Sequence, residues 1–256
     1  MTNKISEVKA MNWIAYNELA WTDTILARPE DFEEEATMYV NLIKRHISTT
    51  APTMLHVGCG AGGHDYHFKA HFSVTGVDLS EGMLEIARKR NPEIEYLQGD
   101  MRTVSLDRKF DVVVIPDSIM YMTTLEDLSA ALTNAAAHLK LGGVLLVVAH
   151  TKEEFRNNNF AYTGETDNTH ITVLENNHIV SGTTYEAAMI YLIRQEGHLE
   201  IHHEVHTLGL FSYDEWLRLF DRLHLKVEQT NLDHLYDRYL LEDGAYKLKV
   251  FVATPV

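Results

Sequence analysis

The chain has 256 residues, of which 45% are hydrophobic and 23% charged, a composition typical of globular domains and unlike disordered, collagen-like or coiled-coil proteins. Its 22 Lys and Arg residues against 37 Asp and Glu residues give a net charge of −15, which argues against nucleic-acid or anionic-membrane partners. A single cysteine, Cys59, allows no internal disulfide, and the N-terminal sequence has no signal-peptide pattern, so we expect a cytoplasmic protein.

The first 50 residues predict a helical cap. Apolar residues recur at helical spacing from Phe32 to Ile47, and Pro29 and Asp31 precede them as helix-start signals. The run Glu33-Glu34-Glu35 is typical of a solvated helix face.

Residues 51–150 predict strands that alternate with helices. Strands are expected at 54–58, 73–77, 95–98, 110–116 and 144–150, and helices at 65–72, 80–90 and 125–139. The fourth strand is apolar on both faces, which suits the middle of a parallel sheet. Ser80 is expected to cap the second helix, and Gly142-Gly143 to end the third.

The remaining sequence predicts an insert and the end of the same sheet. Residues 151–166 resemble a polar loop, and β-rich runs follow at 170–174, 179–194 and 198–207, separated by Asn176-Asn177 and Glu196-Gly197. A helix capped by Ser212 and strands at 225–231 and 247–254 complete the chain. We therefore predict an α/β fold with a doubly wound, mostly parallel seven-stranded sheet and an antiparallel β insert. Its parts are a helical cap (1–50), a core (51–150), the insert (151–207) and the C-terminal part of the core (208–256).

A glycine-rich turn follows the first predicted strand. Glycines there allow a tight turn and let a ligand approach the backbone, and Asp78 follows at the end of the second strand, where it can bind ribose hydroxyls. The spacing Gly58, Gly60 and Gly63 fits a dinucleotide, whereas Gly58, Gly60 and Gly62 fit S-adenosyl-L-methionine.

The end of the third strand favours the second of these cofactors. Asp100 can accept a hydrogen bond from an adenine amino group, while the backbone N–H of Met101 reaches a ring nitrogen.

Several segments resemble class I S-adenosylmethionine-dependent methyltransferases in order and spacing, namely 55–62, 77–90, 99–102 and 139–147. The sequence is most similar to the amino-sugar N,N-dimethyltransferases of macrolide biosynthesis, through residues 64–68, through Ser118-Ile119-Met120-Tyr121 and through Glu204-Val205-His206. His56 stands where the family usually has an acid.

The resemblance implies a Rossmann-like fold and S-adenosyl-L-methionine as cofactor. Together with the glycine-rich turn, it predicts the following cofactor-binding residues: Gly58, Cys59, Gly60, Gly62, Asp78, Leu79, Met83, Asp100, Met101, Pro116 and Ser118.

The predicted reaction moves a methyl group to an amine or a hydroxyl of a small molecule by in-line displacement. The candidate catalytic residues are Tyr16, Tyr121 and His150. The resemblance implies that an N-terminal arm with Trp13, Tyr16 and Trp21 closes over the cofactor, and that Tyr121 lies near the methyl acceptor. A hydroxyl acceptor would need a base, which Tyr121 or His150 could supply, whereas a neutral amine needs little base catalysis.

Other interpretations remain open at this point. His202, Glu204 and His206 alternate along one strand and could approach a metal ion, but a polar, solvent-facing strand surface is the simpler hypothesis, so we predict no metal. A nucleophilic role for Cys59 is disfavoured among glycines. Alternative functions are an NAD(P)-dependent oxidoreductase and a non-catalytic S-adenosylmethionine-binding protein. Exposed edges of the insert would allow a homodimer.

Overall fold

The computed structural model describes residues 13–256. Its strands are β1 (Thr53–Val57), β2 (Ser73–Asp78), β3 (Glu95–Gln98), β4 (Phe110–Pro116), β5 (Leu139–Ala149), β6 (Asn158–Glu165), β7 (Thr169–Ile179), β8 (Thr184–Gln195), β9 (His198–Gly209), β10 (Leu225–Leu232) and β11 (Leu248–Pro255). Its α-helices are α1 (Asp23–Leu26), α2 (Glu33–Lys44), α3 (Gly63–Phe68), α4 (Glu81–Arg90), α5 (Leu125–Ala137) and α6 (Tyr213–Arg222).

The predicted fold class is confirmed. Seven strands form one sheet in the order β10-β11-β5-β4-β1-β2-β3, in which β1 to β5 run parallel and β10 and β11 pair antiparallel. The middle of β4 has no exposed surface on either face, as its apolar sequence predicts. Two predicted caps are present, because the Ser80 hydroxyl accepts from the Met83 N–H, and Ser212 and Glu215 form a capping box on α6.

The predicted role of Gly142-Gly143 is wrong. Helix α5 ends before them, and both glycines lie inside β5, which begins at Leu139. The pairing of β5 with β4 shifts register between Phe110 and Val112, and Gly142 has φ +74°, so the glycines form a bulge rather than a helix end.

The insert is a four-stranded antiparallel sheet in the order β6-β7-β8-β9. Two expectations about it are wrong: the predicted polar loop contains β6, and Asn176-Asn177 lies within β7 rather than between strands. The reason is side-chain bonding, since the buried Asn177 amide donates across to Asn158 Oδ1 on β6 at 3.0 Å and along its own strand to Glu175 Oε1 at 2.7 Å.

Strand β9 turns the C-terminal part of its polar face inward, contrary to the sequence interpretation, whereas His198 and Glu200 at its start are exposed. His206 is 1% exposed, whereas Ile201 is 62% and Val205 50% exposed on the other face. The inner face is covered by the segment from Trp13 to Asn17, here called the N-terminal arm, whose backbone supplies hydrogen bonds to Glu204. Among residues 13–256, no group of His, Cys, Asp or Glu side chains is arranged to hold a metal ion.

Helix α2 also differs from expectation on one face. Glu35 is buried, not solvated: it accepts hydrogen bonds from Tyr39 and from Tyr236, the latter at 2.7 Å, and lies 3.3 Å from His64 Nε2. Tertiary partners therefore stabilise a carboxylate that the run of three glutamates places at a core position. Within the described part of the chain, no helix has the length and apolarity to cross a membrane.

Candidate active site

The loop between β1 and α3 passes close to the end of β4. Gly58 has φ +71°, and a Cβ built on it would lie 2.0 Å from the Ser118 hydroxyl, so only glycine fits. Gly60, at φ +52°, has no atom within 4 Å of such a Cβ. The loop is therefore fixed on one side and open on the other, which suits a ligand that approaches the backbone.

Asp78 holds this loop in place from the end of β2. Its carboxylate accepts from the Gly60 N–H and from the Ser80 N–H, each at 2.8 Å. Burial raises the pKa of Asp78 above its ordinary value, although the bonds from Ser80 and Gly60 oppose that shift. The carboxylate is thus fixed beside the open side of the loop, where the sequence predicts a ribose.

The other predicted cofactor residues lie around the same loop, with one difference. Leu79 is 42% exposed, Met83 is buried in the first turn of α4, and the Ser118 hydroxyl donates to the Val57 carbonyl. Asp100, expected to be free for adenine, binds the Arg102 guanidinium at 2.6 Å. Burial raises the pKa of Asp100, but the hydrogen bonds from the Arg102 side chain and backbone outweigh this effect and hold the pKa below its ordinary value.

Three more predicted cofactor residues complete this region. Pro116 is buried at the end of β4, Cys59 is buried within the loop, and the Met101 carbonyl accepts from Asn134 at 3.0 Å. Burial raises the pKa of the Cys59 thiol well above its ordinary value, so the reactive thiolate is suppressed.

A buried network supports the loop from below. His56 Nδ1 lies 2.7 Å from Asp65 Oδ1, and the Tyr96 hydroxyl donates to Asp65 Oδ2 at 2.9 Å. Asn91 links this network to the loop by donating to the Gly62 carbonyl at 2.9 Å. The Asp65 carboxylate on α3 is therefore bonded to His56 and Tyr96 inside the protein and has no exposed surface.

Tyr16 and Tyr121, two of the three predicted catalytic residues, lie in contact. Their hydroxyl oxygens are 2.5 Å apart, and the Tyr121 oxygen is 2.9 Å from His206 Nδ1. Burial raises the pKa of both tyrosines, so both hydroxyls are protonated at neutral pH. They can donate and accept hydrogen bonds but do not serve as anionic bases.

The N-terminal arm connects the two sides of the site. The Tyr16 carbonyl accepts from the Ser80 hydroxyl at 2.5 Å, beside Asp78, while the Trp13 ring stacks on His206 with centroids 4.4 Å apart. The arm thus lies over the glycine loop at one end and over Tyr121 at the other. Trp21, also predicted to belong to the arm, packs against the same apolar cluster as Ala15 of the arm and Ile171 of the insert.

His150 does not join the two tyrosines. Its Nδ1 contacts the Lys247 carbonyl at 2.9 Å and its Nε2 contacts the Tyr246 hydroxyl at 2.7 Å. Burial lowers the pKa of His150 to about 4. With both ring nitrogens bonded to protein, His150 holds β5 against the C-terminal segment, and the geometry disfavours it as a base.

Sequence reasoning missed Glu204 and His206 as site residues. The alternating pattern predicts a solvent-facing strand surface for both, yet the structure brings them to the arm and to Tyr121. The alternation Glu-x-His was visible, but alternation alone does not reveal which face of a strand is buried.

Comparisons with known proteins agree with this geometry. Residues 54–143 match the family model described as a methyltransferase domain. A dTDP-3-amino-3,4,6-trideoxy-alpha-D-glucopyranose N,N-dimethyltransferase of Streptomyces venezuelae is 34% identical over 234 residues, 90% of this chain and 94% of the relative. A dTDP-3-amino-3,6-dideoxy-alpha-D-glucopyranose N,N-dimethyltransferase of Streptomyces fradiae is 35% identical over 205 residues, 78% of this chain and 79% of the relative. The crystal structure of Streptomyces venezuelae DesVI, 29% identical, superposes with a TM-score of 0.76 and covers 88% of this chain and 92% of its own.

The sheet order, the glycine loop and Asp78 define a class I S-adenosylmethionine-dependent methyltransferase. Within that class, the chain belongs to the family of the amino-sugar N,N-dimethyltransferases. It is therefore an enzyme with S-adenosyl-L-methionine as cofactor and a small-molecule methyl acceptor, and the NAD(P)-dependent and non-catalytic alternatives are not supported.

Proposed function

We propose that this enzyme methylates the amino group of an amino sugar carried on a nucleotide, with the acceptor nitrogen held beside Tyr16 and Tyr121. The observation that carries the proposal is the position of Tyr16. Its carbonyl bonds to Ser80 next to the cofactor-binding Asp78, and its hydroxyl bonds to Tyr121. The cited relatives of Streptomyces venezuelae and Streptomyces fradiae are named for dTDP-linked amino sugars, which supports the substrate class.

The protonation state of the site favours an amine over a hydroxyl acceptor. The cofactor supplies a methyl group already activated on a sulfonium. A hydroxyl acceptor would need a base, but burial keeps Tyr121 protonated and both nitrogens of His150 are bonded to protein. A neutral amine needs only alignment and exclusion of water, which the arm and the insert can provide.

We further propose that the insert, residues 151–207, covers the acceptor side of the site. Support comes from its inner face, where His206 on β9 contacts Tyr121, and from the apolar cluster that Ile171 and Tyr191 form with the N-terminal arm. The cap, core and C-terminal part retain the predicted boundaries in this proposal.

The direct test is a substrate panel. Release of S-adenosylhomocysteine would be measured with nucleotide-linked amino sugars, the corresponding free amino sugars and simple phenols. We expect turnover with the nucleotide-linked amines. Turnover with phenols alone would contradict the amine assignment, and turnover with free amino sugars alone would contradict the nucleotide.

Tyr121→Phe is expected to slow turnover while leaving cofactor binding intact. The substitution removes the hydroxyl between Tyr16 and His206, and loss of one orienting contact costs on the order of 10–100-fold in kcat. Titration calorimetry should give S-adenosylmethionine affinity within about twofold of the wild type, since a residue outside the cofactor site leaves binding nearly unchanged. The control is Tyr66→Phe, because Tyr66 is 45% exposed on α3. A loss of affinity as large as the loss of kcat would contradict this role.

We also propose a cytoplasmic homodimer that forms through the insert. The sequence predicted a dimer contact through the strand edges of the insert. The outer face of the insert sheet offers a more suitable apolar surface, with Leu174 39%, Ile190 44% and Ile201 62% exposed. Leu174 pairs with Ile190 across β7 and β8, so the patch is continuous. The single, buried Cys59 is consistent with a reducing compartment.

Ile201→Glu is expected to convert this dimer to monomer, because it places a charge within the apolar face. The measurement is size-exclusion chromatography with light scattering. Leu141→Glu is the matched control, since Leu141 is 99% exposed on the β5 bulge, away from the insert. A monomeric wild-type protein, or an Ile201→Glu protein that stays dimeric, would overturn the proposal.

A further inference from the structure

Glu204 lies at the end of a chain of contacts that leads to the acceptor side of the site. Its Oε2 accepts from the Ile14 N–H and its Oε1 from the Ala15 N–H, both at 2.9 Å. Its Oε1 also lies 3.1 Å from His206 Nε2. The chain continues from His206 Nδ1 to the Tyr121 hydroxyl and from there to the Tyr16 hydroxyl.

Each oxygen of the Glu204 side chain accepts a backbone N–H, so the side chain presents a hydrogen-bond acceptor to its neighbours. The ring nitrogen beside it is therefore the one that carries the proton, so His206 is the Nε2–H tautomer. The Nε2–H of His206 does not meet the angle of a hydrogen bond to Glu204 Oε1. The contact is therefore mainly an electrostatic attraction between the N–H dipole and the carboxylate. Burial lowers the pKa of His206 and so keeps its ring neutral at pH 7.

This tautomer fixes the direction of every later hydrogen bond. Because Nδ1 is then unprotonated, it accepts from the Tyr121 hydroxyl, and the Tyr121 oxygen accepts in turn from the Tyr16 hydroxyl. The Tyr16 hydroxyl donates its proton to Tyr121, so its oxygen can only accept a further hydrogen bond.

We propose that Glu204 is a positioning residue that sets the direction of this hydrogen-bond chain, so that Tyr16 accepts an N–H of the methyl acceptor and leaves the nitrogen lone pair free. The inference rests on the proposed function, because it requires an amine beside Tyr16. In the opposite direction, the Tyr16 hydroxyl would donate to the amine lone pair, the pair of electrons that must attack the methyl carbon. A donor at that position would still bind the amine but would block its reaction.

The same carboxylate also ties the arm to this chain. Ile14 and Ala15 belong to the segment that carries Tyr16, so docking of the arm and polarity of the chain depend on one residue. Glu200 and His202 form a second pair on β9, 3.2 Å apart, but Glu200 is exposed and accepts no hydrogen bond from the described arm residues. Both pairs consist of a glutamate followed two residues later by a histidine on β9. Glu200 is therefore a matched control for Glu204.

Glu204→Gln tests the proposal, since the amide can donate to Nε2 and so reverses the tautomer while keeping the shape. We expect kcat for a nucleotide-linked amino sugar to fall on the order of 10–100-fold with KM within about threefold, because loss of orientation affects turnover more than binding. Glu200→Gln should retain wild-type kcat and KM.

A second measurement does not depend on turnover. Nitrogen-15 NMR of the imidazole rings, with the His206 signals assigned by comparison with His206→Gln, reports which ring nitrogen carries the proton. We expect Nε2–H in the wild type and in Glu200→Gln, and Nδ1–H in Glu204→Gln.

Wild-type His206 with the proton on Nδ1 would overturn the inference, whether or not Glu204→Gln folds. So would a Glu204→Gln enzyme with wild-type kcat. If the wild type binds S-adenosylmethionine but methylates no amine, the proposed function fails. The NMR measurement of the His206 tautomer still tests the direction of the hydrogen-bond chain in that case.

Discussion

Asp78→Ala should abolish S-adenosylmethionine binding. The carboxylate binds the N–H of Gly60 in the glycine loop and the N–H of Ser80 at the start of α4, and we predict that it also binds the ribose hydroxyls. A hydrogen bond to a charged group contributes about 1.5–3 kcal/mol. The loss of the two predicted bonds to the ribose hydroxyls therefore corresponds to a loss of affinity of at least about 100-fold. Titration calorimetry with S-adenosylmethionine measures this directly.

Two further variants make the Asp78 result interpretable. Asp107→Ala removes a carboxylate that is exposed on the loop before β4 and should leave affinity unchanged. Asp78→Asn keeps the shape and one acceptor oxygen, so its affinity should lie between those of the wild type and Asp78→Ala. Unchanged affinity in a folded Asp78→Ala protein would remove Asp78 from the cofactor site.

The second large effect is expected for Gly58→Ala. A new Cβ would stand 2.0 Å from the Ser118 hydroxyl and 2.4 Å from the Ser118 Cβ, so removal of the hydroxyl alone would not relieve the clash. The left-handed backbone costs about 1–2 kcal/mol for alanine, and overpacking adds about 1–3 kcal/mol. Denaturant unfolding should show this loss, and cofactor affinity should fall because the loop must move.

Gly142→Ala separates the two contributions. Gly142 has a similar φ of +74°, but a Cβ there meets no atom within 4 Å. Only the backbone cost of about 1–2 kcal/mol is therefore expected, with cofactor affinity unchanged. Equal destabilisation by the two variants would show that contact with Ser118 does not constrain the loop.

The insert shows where local patterns mislead. Asn176-Asn177 has the composition of a turn, but Asn177 lies inside β7 because its amide finds an acceptor on Asn158 of the neighbouring β6, besides Glu175 of its own strand. Turn-forming residues continue a strand when a neighbouring strand satisfies their side chains, and the sequence of one strand does not contain that information.

The acceptor side depends on contacts between distant segments. Tyr16 and Tyr121 are 105 positions apart, and Ile14 and Glu204 are 190 apart. The resemblance nevertheless predicted that the arm and Tyr121 lie near the acceptor, and the structure brings Tyr16 and Tyr121 together. It does not bring His150 to them, because Lys247 and Tyr246 bind its ring.

The order of residues along the chain is enough to predict the alternation of strands and helices, the glycine loop and the place of Asp78. These depend on spacing along the chain, and βα units whose strands lie side by side bring strand ends together at one edge of the sheet. Tertiary contacts, by contrast, select the face of β9 that is buried. An alternating sequence fits either orientation of the strand until a neighbouring segment covers one of its two faces. Here the N-terminal arm covers the face with Glu204 and His206, whose partners no local pattern identifies.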